Sequence, residues 1–305
     1  MDLTLDEFAA SVGSDGPVTI AGTSTRGGAV AGVEVVSAPA GIVRVDAAEM
    51  IVECGAGTPV DDVLGELATV GQTVAVPAGG TIGGALAVGR SDVTRLGHGP
   101  MRDVLLQTNY VSAAGKVTKA GGPTVKNVSG FDLCRLMVGS HGTLGFLGDV
   151  ILRTRPIPPV SRWFTSDRPP AELLVELFRP VSILWDGTTS WVRLDGDPGD
   201  VDEAVARVGL VGCLGPPEFP GPYRWSLPPD DLEARLAESQ AGTFLAEIGV
   251  GVVRHCEPPP ARAVPEAIRS LHERIKTNFD PTGRLNPGRS ALVGSDVGSD
   301  VGMRA

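Results

Sequence analysis

The residues with the most chemical potential are glycines. From Pro77 to Gly89 the chain reads Pro-Ala-Gly-Gly-Thr-Ile-Gly-Gly-Ala-Leu-Ala-Val-Gly, with small residues clustered where a strand ends and a helix starts. A run of this kind lets the main chain lie directly against a ligand, and amides at a strand-to-helix turn favour a phosphate. Pro77, Gly79, Gly80, Thr81, Ile82, Gly83, Gly84, Ala85 and Gly89 are its candidate contacts. A second loop, Gly22-Thr23-Ser24-Thr25-Arg26-Gly27, follows the strand-like Val18-Thr19-Ile20 and offers another anion nest. A third run contains Gly139, Gly142, Thr143 and Gly145. None of this is a nucleotide fingerprint, since no suitable GxGxxG unit and no GxxxxGK[ST] occurs. Alone, the glycines would serve equally well for tight turns and close packing.

Side-chain chemistry is sparse. His98, in Leu96-Gly97-His98-Gly99, is the candidate general base or donor to a substrate carboxylate, set against a plain hydrogen-bonded loop histidine. His141 suits ordering of its glycine turn, while His255 and His272 read as a loop residue and a helix-surface residue. Arg102 and Asp103 read as a structural ion pair, and Lys126 and Arg289 are cationic candidates. The four cysteines, Cys54, Cys134, Cys213 and Cys256, are far apart and form no CxxC. They read as reduced, mostly buried thiols, and no metal site is expected.

The elements that must position these loops come from 305 residues, enough for one large or two modest domains. Gly 41 and Pro 25 make up about a fifth of the chain, which implies many turns. With 42% hydrophobic and 20% charged residues it should fold as a globule. A net charge of −10 argues against general nucleic-acid or anionic-membrane binding. No apolar run is long enough to span a bilayer and the first residues lack a signal-peptide pattern, so a cytoplasmic location is expected.

Short strand-like runs occur at 18–20, 42–45, 50–53 and 72–76. Between them a helix from Thr58 to Leu67 aligns Val60, Val63, Leu64 and Leu67, with Thr58 as cap and Pro59 in the first turn. A hairpin spans 104–120 with Gly115 in its turn, followed by a helix at 131–138 and a strand at 147–155. The prolines at 156, 158 and 159 mark a boundary. A second unit follows, with helices at 171–178 and 201–208, a strand at 190–194 and a proline-rich loop from Pro216 to Pro229. A helix covers 265–279, and the Gly/Asp repeat at 293–302 reads as a disordered tail.

In order, Gly55-Ala56-Gly57, Thr81-Ile82-Gly83-Gly84, Leu96-Gly97 with Arg102-Asp103, Lys126-Asn127 to Asp132-Leu133, and Gly139-Ser140 with Gly142-Thr143-Leu144-Gly145 resemble the vanillyl-alcohol-oxidase (VAO) type FAD-binding family, also called PCMH-type. The FAD-binding subunits of glycolate oxidases are the nearest pattern. Asn278-Phe279-Asp280-Pro281 and Leu285-Asn286-Pro287-Gly288-Arg289 are similar to that family's closing motif.

The resemblance implies an α+β fold: a two-subdomain FAD-binding domain over 1–157, a short, reduced α+β cap over 158–262, a return to the first domain over 263–290, and a tail from 291. It implies FAD with its pyrophosphate and ribose at Gly22 to Gly28 and Thr81 to Ala85. Gly139, Gly142, Thr143 and Gly145 would lie further along the cofactor, Gly97 near the flavin approach, and Asn286 and Gly288 near the ring. The first loop lacks the histidine or cysteine of covalent family members, so noncovalent FAD is expected.

The implied activity is that of an FAD-dependent oxidoreductase subunit acting on glycolate or another 2-hydroxy acid. Its implied partners are a larger flavoprotein subunit and an iron–sulfur subunit. The short middle segment lacks the clustered histidines of self-sufficient relatives. A non-catalytic scaffold subunit that keeps the flavin fold, and a stand-alone oxidase of another small alcohol, therefore stay as alternatives.

Overall fold

The structure, a computed structural model, describes residues 3–122, 131–260 and 263–291. The Lys126-Asn127 motif and the 293–302 repeat lie outside the described residues. Contacts divide the chain into two compact units. One is built from Met1–Ser91, Pro100–Pro156 and Arg262–Ser295, and the other from Asp92–Gly99 and Ile157–Ala261.

The first unit begins with α1 (Leu5–Val12), β1 (Val18–Ile20), β2 (Glu34–Val36), β3 (Ile42–Asp46), β4 (Ile51–Gly55), α2 (Val60–Thr69), β5 (Gln72–Thr73) and α3 (Ile82–Val88). After α4 (Arg95–His98), which belongs to the second unit, it continues with β6 (Leu105–Val111), β7 (Val117–Gly121), α5 (Leu133–Met137), β8 (Phe146–Arg153) and β9 (Arg155–Pro156). The second unit carries β10 (Val160–Ser166), α6 (Pro170–Glu176), β11 (Ser182–Trp185), β12 (Ser190–Gly196), α7 (Pro198–Val208), β13 (Val211–Cys213), β14 (Tyr223–Ser226), α8 (Leu232–Leu236), β15 (Phe244–Glu247) and β16 (Val252–His255). The last helix, α9 (Glu266–Phe279), returns to the first unit.

Two sheets order the first unit around its cavity. A five-stranded antiparallel sheet runs β3-β4-β8-β6-β7, and the short parallel pair β1-β2 carries the first glycine loop between its strands. Alternation along β4 sends Val52 and Cys54 into the core, where Val60, Val63 and Leu67 of α2 pack with Leu86 of α3 and Leu152 of β8. Thr58 is not the cap of α2. Pro59 takes the N-cap position, while the Thr58 hydroxyl donates to the Gly55 carbonyl at 2.7 Å and accepts from the Gly41 amide at 2.9 Å. The hydroxyl ties two strand ends together instead of opening a helix.

The remaining expectations differ in detail. The strand at 72–76 shortens to Gln72–Thr73, which pairs with β9 across the proline boundary. Asp103 pairs with Arg135 at 2.7 Å rather than with Arg102, because α5 brings Arg135 to it.

The second unit is built on a seven-stranded sheet in the order β13-β10-β12-β11-β15-β16-β14. One face of it packs Phe164, Ile183, Val192, Phe244 and Val253 against Leu173, Val201, Val208, Leu232 and Leu236 from the helices. The stretch from Pro216 to Pro229 is not all loop, since Tyr223–Ser226 pairs with β16. His255 is likewise no loop residue: it lies buried in β16, its ring stacked on Trp225 with centroids 3.9 Å apart. Among the described residues, no helix is long and apolar enough to cross a membrane.

Candidate functional site

The first unit encloses a cavity of about 360 Å³ lined by three of the glycine segments, within the volume range of small-molecule and cofactor sites. Gly22, Thr23, Ser24, Thr25, Arg26 and Gly27 form one wall, Thr81, Gly83 and Gly84 another, and Gly142 and Gly145 a third, with Asn286 closing it. Sequence reasoning missed Ser37, Ala38, Ala40, Ala87, Val88 and Ser140, which also line it. Ser37, Ala38, Ala40 and Ala87 are small residues whose only signal is the absence of bulk next to β2 and in α3, and Ser140 stood in the Gly139-Ser140 motif without being singled out. Phe146 and Leu147 add apolar surface, and His141 and Arg289 join Arg26 as polar lining.

The closeness of the main chain is what the glycines supply. A Cβ on Gly22 would lie 2.9 Å from the Thr81 hydroxyl, one on Gly142 2.6 Å from the Asn286 amide nitrogen, and one on Gly145 2.5 Å from the Tyr110 ring. The amides at the start of α3 are already engaged. Ile82 donates to the Thr58 carbonyl at 2.9 Å, Gly83 to the Ala56 carbonyl at 2.7 Å, and Gly84 to the Thr81 hydroxyl at 3.2 Å. The Thr81 segment therefore contributes proximity and shape more than free donors.

The closing segment welds the third wall to the first. Asn286, 1% exposed, accepts from the Thr19 hydroxyl at 2.7 Å and the Ile20 amide at 3.2 Å, and donates to the His141 carbonyl at 2.7 Å. Its φ of +47° is one that asparagine tolerates better than most residues. Lys276 donates to the Thr143 carbonyl at 2.7 Å and to buried Asp280 at 2.5 Å. Arg289 donates to the Gly28 carbonyl.

The other predicted residues stand elsewhere. Pro77, Gly79 and Gly80 form the loop beside the cavity wall, and Ile82 and Ala85 are buried in α3. Gly89 caps α3 in the left-handed region and packs on Gly139, where a Cβ would meet the Gly139 nitrogen at 2.8 Å. Thr143 is buried with its hydroxyl on the Ser140 carbonyl, and Gly288, at φ +80°, lies beyond the lining. Gly97 belongs to the second unit, where its amide donates to the Val181 carbonyl at 3.1 Å.

His98 is also in the second unit. Its Nε2 lies 3.4 Å from Asp195, whose other oxygen accepts from Ser161 at 2.7 Å and Arg193 at 3.0 Å. The register of β10 and β12 sets Ser161 directly opposite Asp195. Burial alone would raise the Asp195 pKa, but the bonds from His98 and Ser161 and the charge of Arg193 bring it down to about 2.

The residues at the cavity suit FAD. None of the described lining residues is acidic, and Arg26 and Arg289 supply positive charge for a diphosphate. Burial, and then the nearby charges of Arg90 and Arg289, lower the His141 pKa.

Residues 13–121 match the FAD binding domain family. The chain is 29% identical to the glycolate oxidase subunit GlcE of Escherichia coli (strain K12), covering 82% of this chain and 84% of that one. It is 33% identical to a D-lactate dehydrogenase of Archaeoglobus fulgidus and 37% to the glycolate oxidase subunit GlcD of Bacillus subtilis (strain 168). Those matches cover 44% and 27% of this chain and only 32% and 17% of the relatives' lengths. In fold it resembles alkyldihydroxyacetonephosphate synthase, with a TM-score of 0.68 at 12% identity over 94% of this chain and 75% of that one. FAD is the cofactor, and the α+β fold is of the PCMH type. The chain carries an FAD binding domain over residues 13–121, is similar along most of its length to a glycolate oxidase subunit, and is an FAD-dependent oxidoreductase.

Proposed function

We propose that this protein is the FAD-holding subunit of a glycolate- or 2-hydroxy-acid-oxidising complex, working beside a larger flavoprotein subunit and an iron–sulfur subunit. The observation that carries the reading is the extent of the GlcE likeness, which runs through 82% of this chain and 84% of that subunit. In this reading Gly22 to Gly27, Thr81, Gly83 and Gly84 hold the diphosphate end of noncovalent FAD, and Gly142, Gly145 and Asn286 flank the cofactor further along. Four free cysteines fit a reducing compartment such as the cytoplasm.

Bound FAD supplies a two-electron acceptor. The chain's own part is to orient it, and in this reading His98, whose Nε2 lies 3.4 Å from Asp195 within the second unit, is the candidate general base for the substrate hydroxyl. Anaerobic titration with glycolate and D-lactate tests this: the flavin band of the wild type bleaches, and His98→Gln slows bleaching by about 100-fold. The scaffold reading has one observation in its favour, that His98 is 12% exposed and engaged with Asp195. Under that reading, neither acid bleaches the flavin of the isolated chain and His98→Gln changes nothing.

A further inference from the structure

The loop at 77–80, next to the cavity, is held by side chains from two different elements. Arg26, from the first glycine loop, donates to the carbonyls of Gly79 at 2.6 Å, Pro77 at 2.8 Å and Ala78 at 3.0 Å. Asp61, exposed in the first turn of α2, accepts from the Gly79 amide at 3.0 Å. Gly79 and Gly80 both sit in the left-handed region, at φ +74° and +71°. A Cβ on Gly80 would fall on the Arg26 guanidinium and the Thr25 hydroxyl, so the guanidinium nests where only glycine leaves room. Arg26 is half-buried, and burial lowers its pKa against the pull of Asp61.

We propose that Arg26 and Asp61 are positioning residues that grip the Pro77–Gly80 loop together and set its spacing from the Gly22–Gly28 loop for cofactor binding. The inference rests on the cavity being the FAD site. A guanidinium committed to three carbonyls is a structural fork. Its work is to turn the second loop, with charge toward the diphosphate as a by-product. Asp61 does the same from α2 although its negative charge, taken alone, opposes an anionic ligand.

That opposition of sign makes the test. FAD dissociation constants are measured by flavin fluorescence on the full chain for Asp61→Ala, Asp61→Asn, Arg26→Ala and Arg26→Lys, with thermal unfolding of each apoprotein as the folding control. The proposal predicts that Asp61→Ala weakens FAD by about 5-fold, roughly 1 kcal/mol. Asp61→Asn, which keeps an acceptor for the Gly79 amide, should stay near wild type. Arg26→Lys should fall with Arg26→Ala, by about 10-fold or more, because an ammonium does not reproduce the planar fork. An Asp61→Ala variant that binds FAD as tightly as wild type or tighter overturns the proposal, as does Arg26→Lys at wild-type affinity, which would mark Arg26 as a direct charge on the diphosphate. Wild-type protein that binds no FAD removes the underlying reading of the cavity and this inference with it.

Discussion

Asn286 donates to the His141 carbonyl at 2.7 Å across a separation of 145 residues, while its oxygen receives the Thr19 hydroxyl and the Ile20 amide. One buried amide thus fastens strand β1, the 141–142 turn and the closing segment to each other. Asn286→Ala takes the acceptor from the buried Thr19 hydroxyl and the Ile20 amide and the donor from the part-buried His141 carbonyl, and puts alanine in the left-handed region. The expected loss is about 2–4 kcal/mol in urea unfolding. Asn286→Asp keeps the acceptor and loses the donor, with a charge placed where exposure is 1%, so it should be no better than alanine. Wild-type stability in either variant would refute the fastening role.

Arg284 makes a second weld. Its guanidinium, buried at 6% exposure, donates to the carbonyls of Gly16, Gly13, Ala113, Val12 and Asp15 at 2.7 to 3.1 Å. These acceptors include the C-terminal end of α1 and the turn of the β6–β7 hairpin. Lysine has fewer donors and no fork, so Arg284→Lys is expected to cost about 2–4 kcal/mol and to approach Arg284→Ala. Chemical denaturation of the two variants checks this.

The cavity's composition explains how much was legible in the sequence. The loop at 22–27 and the segments at 81–84 and 142–145 were readable because their glycines cluster beside strand ends in the order that the family resemblance requires, and those segments do meet at one cavity. Ser37, Ala38 and Ala40 carried no such mark, since small residues beside a short strand look the same whether they face solvent or a ligand. In the second unit, β10, β11, β15 and β16 went unread. Their pairing is non-local, as in β11 with β15, and prolines and glycines surround them. The welds at Asn286 and Arg284 were invisible because each joins residues far apart in the chain, and nothing in local spacing records a partner 145 or 272 residues away.

The His98–Asp195 contact predicts an acid dependence. Asp195 has its folded pKa depressed from 3.8 to about 2. Its stabilisation is therefore complete above the unfolded value and fades as pH falls from about 4 through 2. The difference in unfolding free energy between wild type and Asp195→Asn should be about 2 kcal/mol near pH 6 and shrink toward zero near pH 2. A difference that stays constant across that range would show that the charge is not what holds the pair.

The thiols should separate into two classes. Burial pushes Cys54 up to about 12 and Cys134 up to about 11, whereas Cys256 is exposed and Cys213 half-buried. A thiol reagent at pH 8 is expected to modify Cys256 quickly and Cys213 more slowly. Cys54 and Cys134 should react only on unfolding. Rapid modification of all four in native protein would contradict the packing of β4 and α5.

The central claim is that the glycine-lined cavity of the first unit holds FAD without a covalent bond. Its most direct test is the absorption spectrum of the purified protein after saturation with FAD, followed by acid precipitation and analysis of the supernatant. The account predicts about one FAD per chain, all of it released on precipitation. A colourless protein after saturation, or flavin that stays with the precipitate, would contradict it.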